Sequence, residues 1–167
     1  DPHTGRAISI TEKQLFNLRD KVRTLEAKLV ELISFGEEND AISDKVHGLA
    51  VALISATEPA SVVRALYSHL GGAFAVPHVT LRLWGTGQGS GNEHEAVSDA
   101  IKSFAANLPR PYCGSTNGQE STRWFGEAAT HLRSMTQVPL RNTDGECFGL
   151  LILASEEPHR FSPELGT

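Results

Sequence analysis

The sequence has few cysteines, no excess of basic residues and no long apolar run, and each shortage excludes a class of protein. Its two cysteines, Cys113 and Cys147, are too few for a disulfide framework and too far apart for a CxxC motif. The 15 basic residues are outnumbered by 20 acidic ones, so nothing favours binding to a phosphate backbone. The apolar stretch 49–56 is far shorter than the roughly 20 residues of a membrane span. We therefore expect a cytoplasmic protein that binds neither nucleic acid nor membrane.

Catalytic and metal-binding motifs are also missing. The seven histidines show no HxH or HExxH spacing, which predicts no local metal site. The glycine-rich segment GTGQGSGNEHE, residues 85–95, lacks the Lys-Ser/Thr pair of a phosphate-binding loop and is expected to be a flexible loop. No GxSxG nucleophile motif occurs, and no paired carboxylates share a helical face. We expect no cofactor, no metal and no enzymatic activity.

The residues that are present describe a globular domain behind a helical segment. A length of 167 residues suits one domain with an appendage, and 40% hydrophobic with 21% charged residues is typical of a globular protein. Residues 10–56 contain no proline and are rich in Leu, Glu, Lys and Ala, which favours helix. We expect a helical dimerisation segment at 1–56 and a globular domain at 57–167.

The helical segment carries apolar residues at heptad spacing, the pattern of a coiled coil. The predicted dimer interface, called the seam below, consists of Leu15, Leu18, Val22, Leu25, Leu29 and Leu32. With Leu15 at position a, Lys21 lies at g and Glu26 at the following e, which are attractive partners between parallel strands. We expect a homodimer with parallel helices.

The heptad phase changes at Gly36, which suggests a kink or a change of register. Apolar residues resume in a shifted phase through Phe35, Ile42 and Val46, with Asn39 at an a position. Asn39 is then either a buried polar residue that fixes the dimer's register or the N-cap of a second helix. Both interpretations of Asn39 are open at this stage.

The second segment mixes helices with strands. Residues 57–74 form an amphipathic pattern, with Thr57 as the expected N-cap of a helix. PHVTLRLWG alternates strictly between an apolar face and a face bearing Arg82 and Trp84, as a strand does. Asp144-Gly145 joins two further strand patterns as a hairpin. The order predicts an α+β domain, a central antiparallel sheet flanked by helices.

Several separated motifs resemble one bacterial family. SITEKQLFNLRDKVRTLEAKLVELISFGEEND, LRLW, PYCG, WFGEAATHLRS and VPLRNTDGECFGLLILASEEPHRFSPELGT are similar to successive signatures of the domain of unknown function 484 family. The resemblance runs along essentially the whole chain and is weakest over residues 85–108. It implies a GAF-like domain carried on an N-terminal coiled-coil helix, with no assigned activity.

GAF-like domains usually hold small ligands between the sheet and the irregular segments that cross it. The residues expected there are Arg82, Trp84, Tyr112, Cys113 and Trp124. The alternative is that the two tryptophans are core aromatics and that Arg82 pairs with an acid. The resemblance and these residues favour a non-enzymatic sensory or regulatory module for signalling that binds a small molecule or a protein. The rivals are a protein-interaction scaffold with a filled pocket, and a redox enzyme that uses Cys113.

Overall fold

The computed structural model describes residues 2–87 and 89–166, with side chains for 9–87 and 89–164. The chain forms two compact units, Asp1–Val51 and Ala52–Thr167. The expected boundary after residue 56 falls five residues later than this division. Each unit is described by itself below.

The first unit consists of one long helix. Helix α1 spans Pro2–Ser55, 54 residues, and at 1.5 Å per residue it is about 80 Å long. It continues through Gly36, so Asn39 lies inside a helix, and the interpretation of Asn39 as an N-cap is wrong. The seam side chains of this single chain are exposed, from 49% at Leu15 to 66% at Leu32.

The second unit is a four-stranded antiparallel sheet with helices on its faces, which confirms the α+β prediction. Its strands lie in the order β1-β4-β3-β2, and every neighbouring pair is antiparallel. The architecture is consistent with a GAF-like fold. Its helices and strands are α2 (Pro59–Gly71), β1 (His78–Leu83), α3 (Asp99–Asn107), β2 (Tyr112–Ser115), β3 (Ser134–Arg141) and β4 (Cys147–Ser155). Segments of 3₁₀ helix cover Asn92–His94, Glu120–Thr130 and Pro163–Gly166.

One side of the sheet, the α2 face, is covered by α2. Leu70 of α2 is buried with Leu81 and Leu151 of the two adjoining strands. The predicted apolar stripe of the helix packs against this cluster, because its residues recur at helical spacing. The helix begins one residue later than expected: Glu58 is the N-cap, and it makes no side-chain capping bond. Thr57 as N-cap was therefore wrong.

The opposite side, the α3 face, holds the larger part of the core. Ile101 and Ala105 of α3 are buried there against residues of β3 and β4 and the segment before β3. Those residues are Leu132, Met135, Leu150, Ile152 and Ala154. Alternate residues of β1 point to this side, since strand side chains alternate between faces. His78, Thr80, Arg82 and Trp84 therefore share the α3 face, as the sequence pattern predicted.

The predicted hairpin joins β3 to β4. Gly145 has φ of 84°, a left-handed conformation that costs glycine little. The Asn142 side-chain oxygen accepts hydrogen bonds from the backbone N–H groups of Asp144, at 3.0 Å, and Glu146, at 2.9 Å. This local network stabilises the turn and confirms the hairpin.

Arg141 ties this hairpin to the end of α3. Its Nη2 donates to the carbonyl oxygens of Ala105, Ala106 and Leu108, at 3.2, 2.9 and 2.8 Å. Its Nη1 donates to the carbonyl of Gly145 at 3.1 Å. A cation at these carbonyls also complements the negative end of the helix dipole. Arg141 therefore fixes the carboxyl end of α3 against the sheet.

A second arginine, Arg160, holds the connection between α2 and β1. Glu156 and Glu157 lie close to Arg160 in the sequence, which predicts an ion pair with one of them. Instead its Nη2 donates to the carbonyls of Phe74, at 3.2 Å, and Ala75, at 2.8 Å. The expected ion pair was wrong, because these two carbonyls at the end of the α2 connection lie within reach.

Strand β1 is an edge strand, and Tyr67 of α2 covers part of its free edge. The N–H of Leu81 donates to the Tyr67 hydroxyl oxygen at 3.0 Å. This contact satisfies an edge donor that would otherwise need water or another chain. Burial raises the pKa of Tyr67 above its ordinary value of 10.0, and the bond from Leu81 opposes that shift.

The raised pKa of Tyr67 makes a testable contribution to stability at alkaline pH. A phenol whose pKa is higher in the folded chain stabilises fully below the unfolded value, and this contribution is lost as pH rises through the folded value. We expect the free energy of unfolding, measured by urea titration, to fall above pH of about 10 in the wild type. The fall should be smaller in Tyr67→Phe. Equal slopes in the two proteins would contradict the assignment.

Candidate functional site

Arg82 is a buried cation near the carboxyl end of β1, on the α3 face. Its side chain is 7% exposed, and its Nη2 donates to Glu95 Oε2 at 2.8 Å. Its Nη1 donates to Thr80 Oγ1 at 3.3 Å and to the carbonyl of Leu81 at 3.2 Å. The guanidinium carbon also lies 5.2 Å from the centre of the Trp124 ring, a cation–π distance. Arg82 is thus held by one carboxylate, two neutral oxygens and one aromatic face.

Glu95, the charged partner, is placed very differently. It directly follows the 3₁₀ segment Asn92–His94, and its side chain is 59% exposed. Moving this carboxylate fully into solvent changes its hydration little, because it is already largely hydrated. Leaving Arg82 without an anion would cost far more, since an unpaired buried charge is strongly destabilising. The pair is therefore asymmetric: Arg82 needs an anion more than Glu95 needs Arg82.

Four of the five predicted ligand-site residues share the α3 face, but only Arg82 and Trp124 are in direct contact by the geometry above. Trp84 donates its indole N–H to the carbonyl of Cys147 at 2.9 Å. Tyr112 donates its hydroxyl to the carbonyl of Ser115 at 2.8 Å. Trp84, Tyr112 and Trp124 are partly buried and pack against the core cluster of the α3 face. The arrangement matches the alternative in which the tryptophans are core aromatics and Arg82 pairs with an acid.

Cys113 is separated from the other four predicted residues. Tyr112 and Cys113 are neighbours in β2, so their side chains project from opposite faces of the sheet. Cys113 donates its thiol to Thr136 Oγ1, its cross-strand partner, at 3.2 Å. Cys113 and Cys147 are both free thiols. A ligand on the α3 face would therefore not meet the Cys113 sulfur.

A cleft opens beside this site, where β1 passes into the glycine-rich loop. It has a volume of about 390 Å³, within the range of small-ligand sites. Glu95 and Trp84 line it together with two basic side chains, His94 and Lys102. Arg82 does not line the cleft; Glu95 lies at its wall and reaches inward to the guanidinium. Among the described residues, the other lining positions are Leu83, Gly85, Gly87, Gly89, Ala96 and Val97.

A polar network occupies the α3 face next to a second, smaller cleft of about 170 Å³. Gln137 of β3 is 1% exposed, and both ends of its amide are bonded. Its Nε2 donates to Gln119 Oε1 at 2.8 Å, and its Oε1 accepts from the Ser121 hydroxyl at 2.8 Å. These bonds hold the 3₁₀ segment Glu120–Thr130, which carries Trp124, onto the sheet.

Sequence reasoning missed three residues of this region: Glu95, Lys102 and Gln137. Glu95 and Lys102 belong to stretches expected to be a loop and a short helix, with no motif to mark them. Gln137 carried a usable signal, because it is a polar residue on the inward phase of a strand pattern.

No group of three or more His, Cys, Asp or Glu side chains is close enough to hold a metal ion within residues 9–87 and 89–164. Across the part of the chain that the structure describes, no helix has both the length and the apolar character needed to cross a membrane.

The buried polar network predicts a non-additive pair of substitutions. Gln137→Met removes both bonds and leaves the Ser121 hydroxyl, 2% exposed, without its partner. We expect this to lower the free energy of unfolding by about 1–3 kcal/mol in urea titrations. Adding Ser121→Ala should recover part of the loss, because the orphaned hydroxyl is removed. Strictly additive losses would show that the two side chains are not coupled.

Comparison with known proteins gives the family. No curated protein shows significant similarity to the chain. The model of the family described as "Protein of unknown function, DUF484" matches residues 2–167, essentially the whole chain. This match confirms the resemblance drawn from the sequence motifs. The chain therefore belongs to the domain of unknown function 484 family.

Proposed function

We propose that this protein is a non-enzymatic regulatory module that forms a parallel homodimer through α1 and binds a small ligand in its GAF-like second unit. The observation that carries the proposal is the exposed seam on α1. A second copy of the same chain is the occupant proposed for that seam.

The seam supports dimerisation because α1 has no other element to pack against within its own unit. Its six apolar side chains are half to two-thirds exposed and repeat at alternate spacings of three and four residues. Burying a leucine or valine side chain stabilises by about 1.5–3 kcal/mol. An identical helix offers the same row of knobs and holes along the whole seam.

Charge complementarity favours the parallel orientation. In parallel strands the g position of one helix faces the following e position of the other, which pairs Lys21 with Glu26 of the second copy. Antiparallel strands bring g positions together, and Lys21 would then approach Lys28. Asn39, inside the continuous helix, takes the role of a polar a residue that fixes register at some cost in stability.

The ligand-binding part of the proposal rests on the cleft beside Trp84. The space directly over Arg82 is occupied by Trp124 and Glu95, so it offers no room in the present conformation. The neighbouring cleft has suitable volume, an aromatic wall and basic side chains. The proposal includes no catalysis, because Cys113 projects from the side of the sheet opposite to the cleft.

A protein-interaction scaffold is the second candidate function. The observation in its favour is the filled volume over Arg82, where Trp124 stacks on the guanidinium at 5.2 Å. A scaffold needs no internal ligand, and in that case the buried pair serves only to hold the irregular segments on the sheet.

The seam can be tested with two lysine substitutions on the same helix. Leu25 and Val30 are equally exposed in the single chain, at 65% and 67%, but only Leu25 belongs to the seam. We expect Leu25→Lys to convert the dimer to a monomer in sedimentation equilibrium, because it places two charges in the seam. Val30→Lys should leave the dimer intact. A dimer in both variants would refute the seam.

Helix orientation can be tested by charge reversal. Lys21→Glu places like charges opposite Glu26 in a parallel dimer, and we expect sedimentation to show a weaker dimer. The double variant Lys21→Glu, Glu26→Lys should restore the wild-type dissociation constant at low salt. If the single variant instead strengthens the dimer, the helices are antiparallel, because the carboxylate introduced at position 21 would then attract Lys28 where the native ammonium groups repel each other.

A further inference from the structure

The pairing of Arg82 can be exchanged without rebuilding the sheet. Glu95 is 59% exposed while Arg82 is 7% exposed, so the carboxylate can turn outward but the guanidinium cannot follow it. Because an unpaired buried cation is strongly destabilising, Glu95 leaves only when another anion takes its place. The site is therefore closed to solvent but open to anion exchange.

Glu95 is also the residue that joins Arg82 to the cleft of about 390 Å³. A molecule in the cleft lies on the outer side of the Glu95 side chain, next to Trp84. If Glu95 turns outward, the carboxylate that stands between the cleft and the guanidinium is removed, and Trp124 stays 5.2 Å from the guanidinium carbon. Exchange would thus connect an existing cleft to an existing buried cation.

We propose that this cleft binds a small carboxylate with an apolar or aromatic body, whose carboxylate replaces that of Glu95 on the guanidinium of Arg82. The inference rests on the ligand-binding part of the proposed function and names the chemical class of its ligand. In this proposal the carboxylate of Glu95 occupies the position on Arg82 that the ligand's carboxylate would take.

The chemistry of the walls selects this class. Arg82 now donates to one carboxylate through Nη2, so an incoming carboxylate reproduces the charge and geometry already present. Trp84, Val97 and Ala96 form an apolar wall for the body of the molecule. Lys102, which makes no ion pair among the described residues, adds a positive charge to the same cleft. A neutral molecule would leave Arg82 on Glu95 and gain only the wall contacts.

The backbone of the glycine-rich loop positions the segment that carries Glu95. A Cβ at position 89 would overlap the imidazole ring of His94, so the ring packs directly on the backbone of Gly89. His94 precedes Glu95 and its ring lines the cleft. The lack of a side chain at Gly89 therefore allows this segment to approach the loop and places Glu95 at the wall.

The proposal is tested by comparing a charged probe with its neutral analogue on matched variants. The probes are phenylacetate and phenylacetamide, measured by calorimetry on the full chain at constant ionic strength. Glu95→Gln removes the competing charge, while Glu93→Gln makes the same change on the same segment and leaves the Arg82–Glu95 pair intact. We expect phenylacetate to bind the wild type and Glu93→Gln alike, and Glu95→Gln about tenfold more tightly or better.

Two results would overturn the inference. One is equal phenylacetate affinity in Glu95→Gln and Glu93→Gln, or no binding to either, because competition with Glu95 predicts a difference. The other is phenylacetamide binding as tightly as phenylacetate, which would mean that the carboxylate does not reach Arg82. In a supporting outcome, phenylacetate but not phenylacetamide raises the melting temperature of Glu95→Gln.

Failure of this inference and failure of the proposed function are distinguishable. If phenylacetamide binds as well as phenylacetate, the cleft still holds a ligand and only its chemical class is wrong. If neither probe binds, native mass spectrometry of protein purified from its host decides the rest. The absence of phenylacetate binding has by then overturned the carboxylate inference. A retained small molecule would preserve the proposed function, whereas a chain that carries only a protein partner would favour the scaffold and overturn the proposed function too.

Discussion

The second unit is organised around a buried cation, Arg82, that requires an anionic partner. Arg82 lies near the carboxyl end of the edge strand β1, on a sheet face built mainly of apolar side chains, where an isolated charge would cost several kcal/mol. Among the described residues, no strand supplies an anion to Arg82. The carboxylate of Glu95 and the ring of Trp124 come from two irregular segments that lie on the sheet. The need to pair one guanidinium thus constrains the placement of both segments.

Much of the fold could be predicted because it depends on local periodicity. Strict alternation over β1 fixed which residues face α3, since a strand side chain has only two directions. The Asp144-Gly145 turn marked the hairpin through backbone preference alone. The heptads of α1 predicted a long helix, and Gly36 failed to interrupt it because one glycine in a helix interior costs only about 1 kcal/mol. A local penalty of that size does not outweigh the helix on either side.

The site was harder to predict because its contacts link residues that no local pattern relates. Arg82 was recognised as a candidate, but Glu95 lies in a stretch whose path over the sheet has no periodicity to reveal it. Cys113 was grouped with Tyr112 by proximity in sequence, although the strand period places adjacent residues on opposite faces. Arg160 had two acids nearby in sequence and instead bonds backbone carbonyls far along the chain. Charge proximity in sequence was a poor guide wherever backbone acceptors competed.

The two walls of the cleft differ in how they are held, and the four carbonyl bonds of Arg141 fix the wall that α3 forms. They anchor the carboxyl end of α3 to the β3–β4 hairpin, and Ile101 and Ala105 of α3 are buried in the core. Lys102 lies on this helix, whose backbone is therefore fixed to the sheet. The facing wall, with Glu95, follows one short 3₁₀ segment and is largely hydrated. Any change in the width of the cleft therefore involves movement of the loop and not of α3.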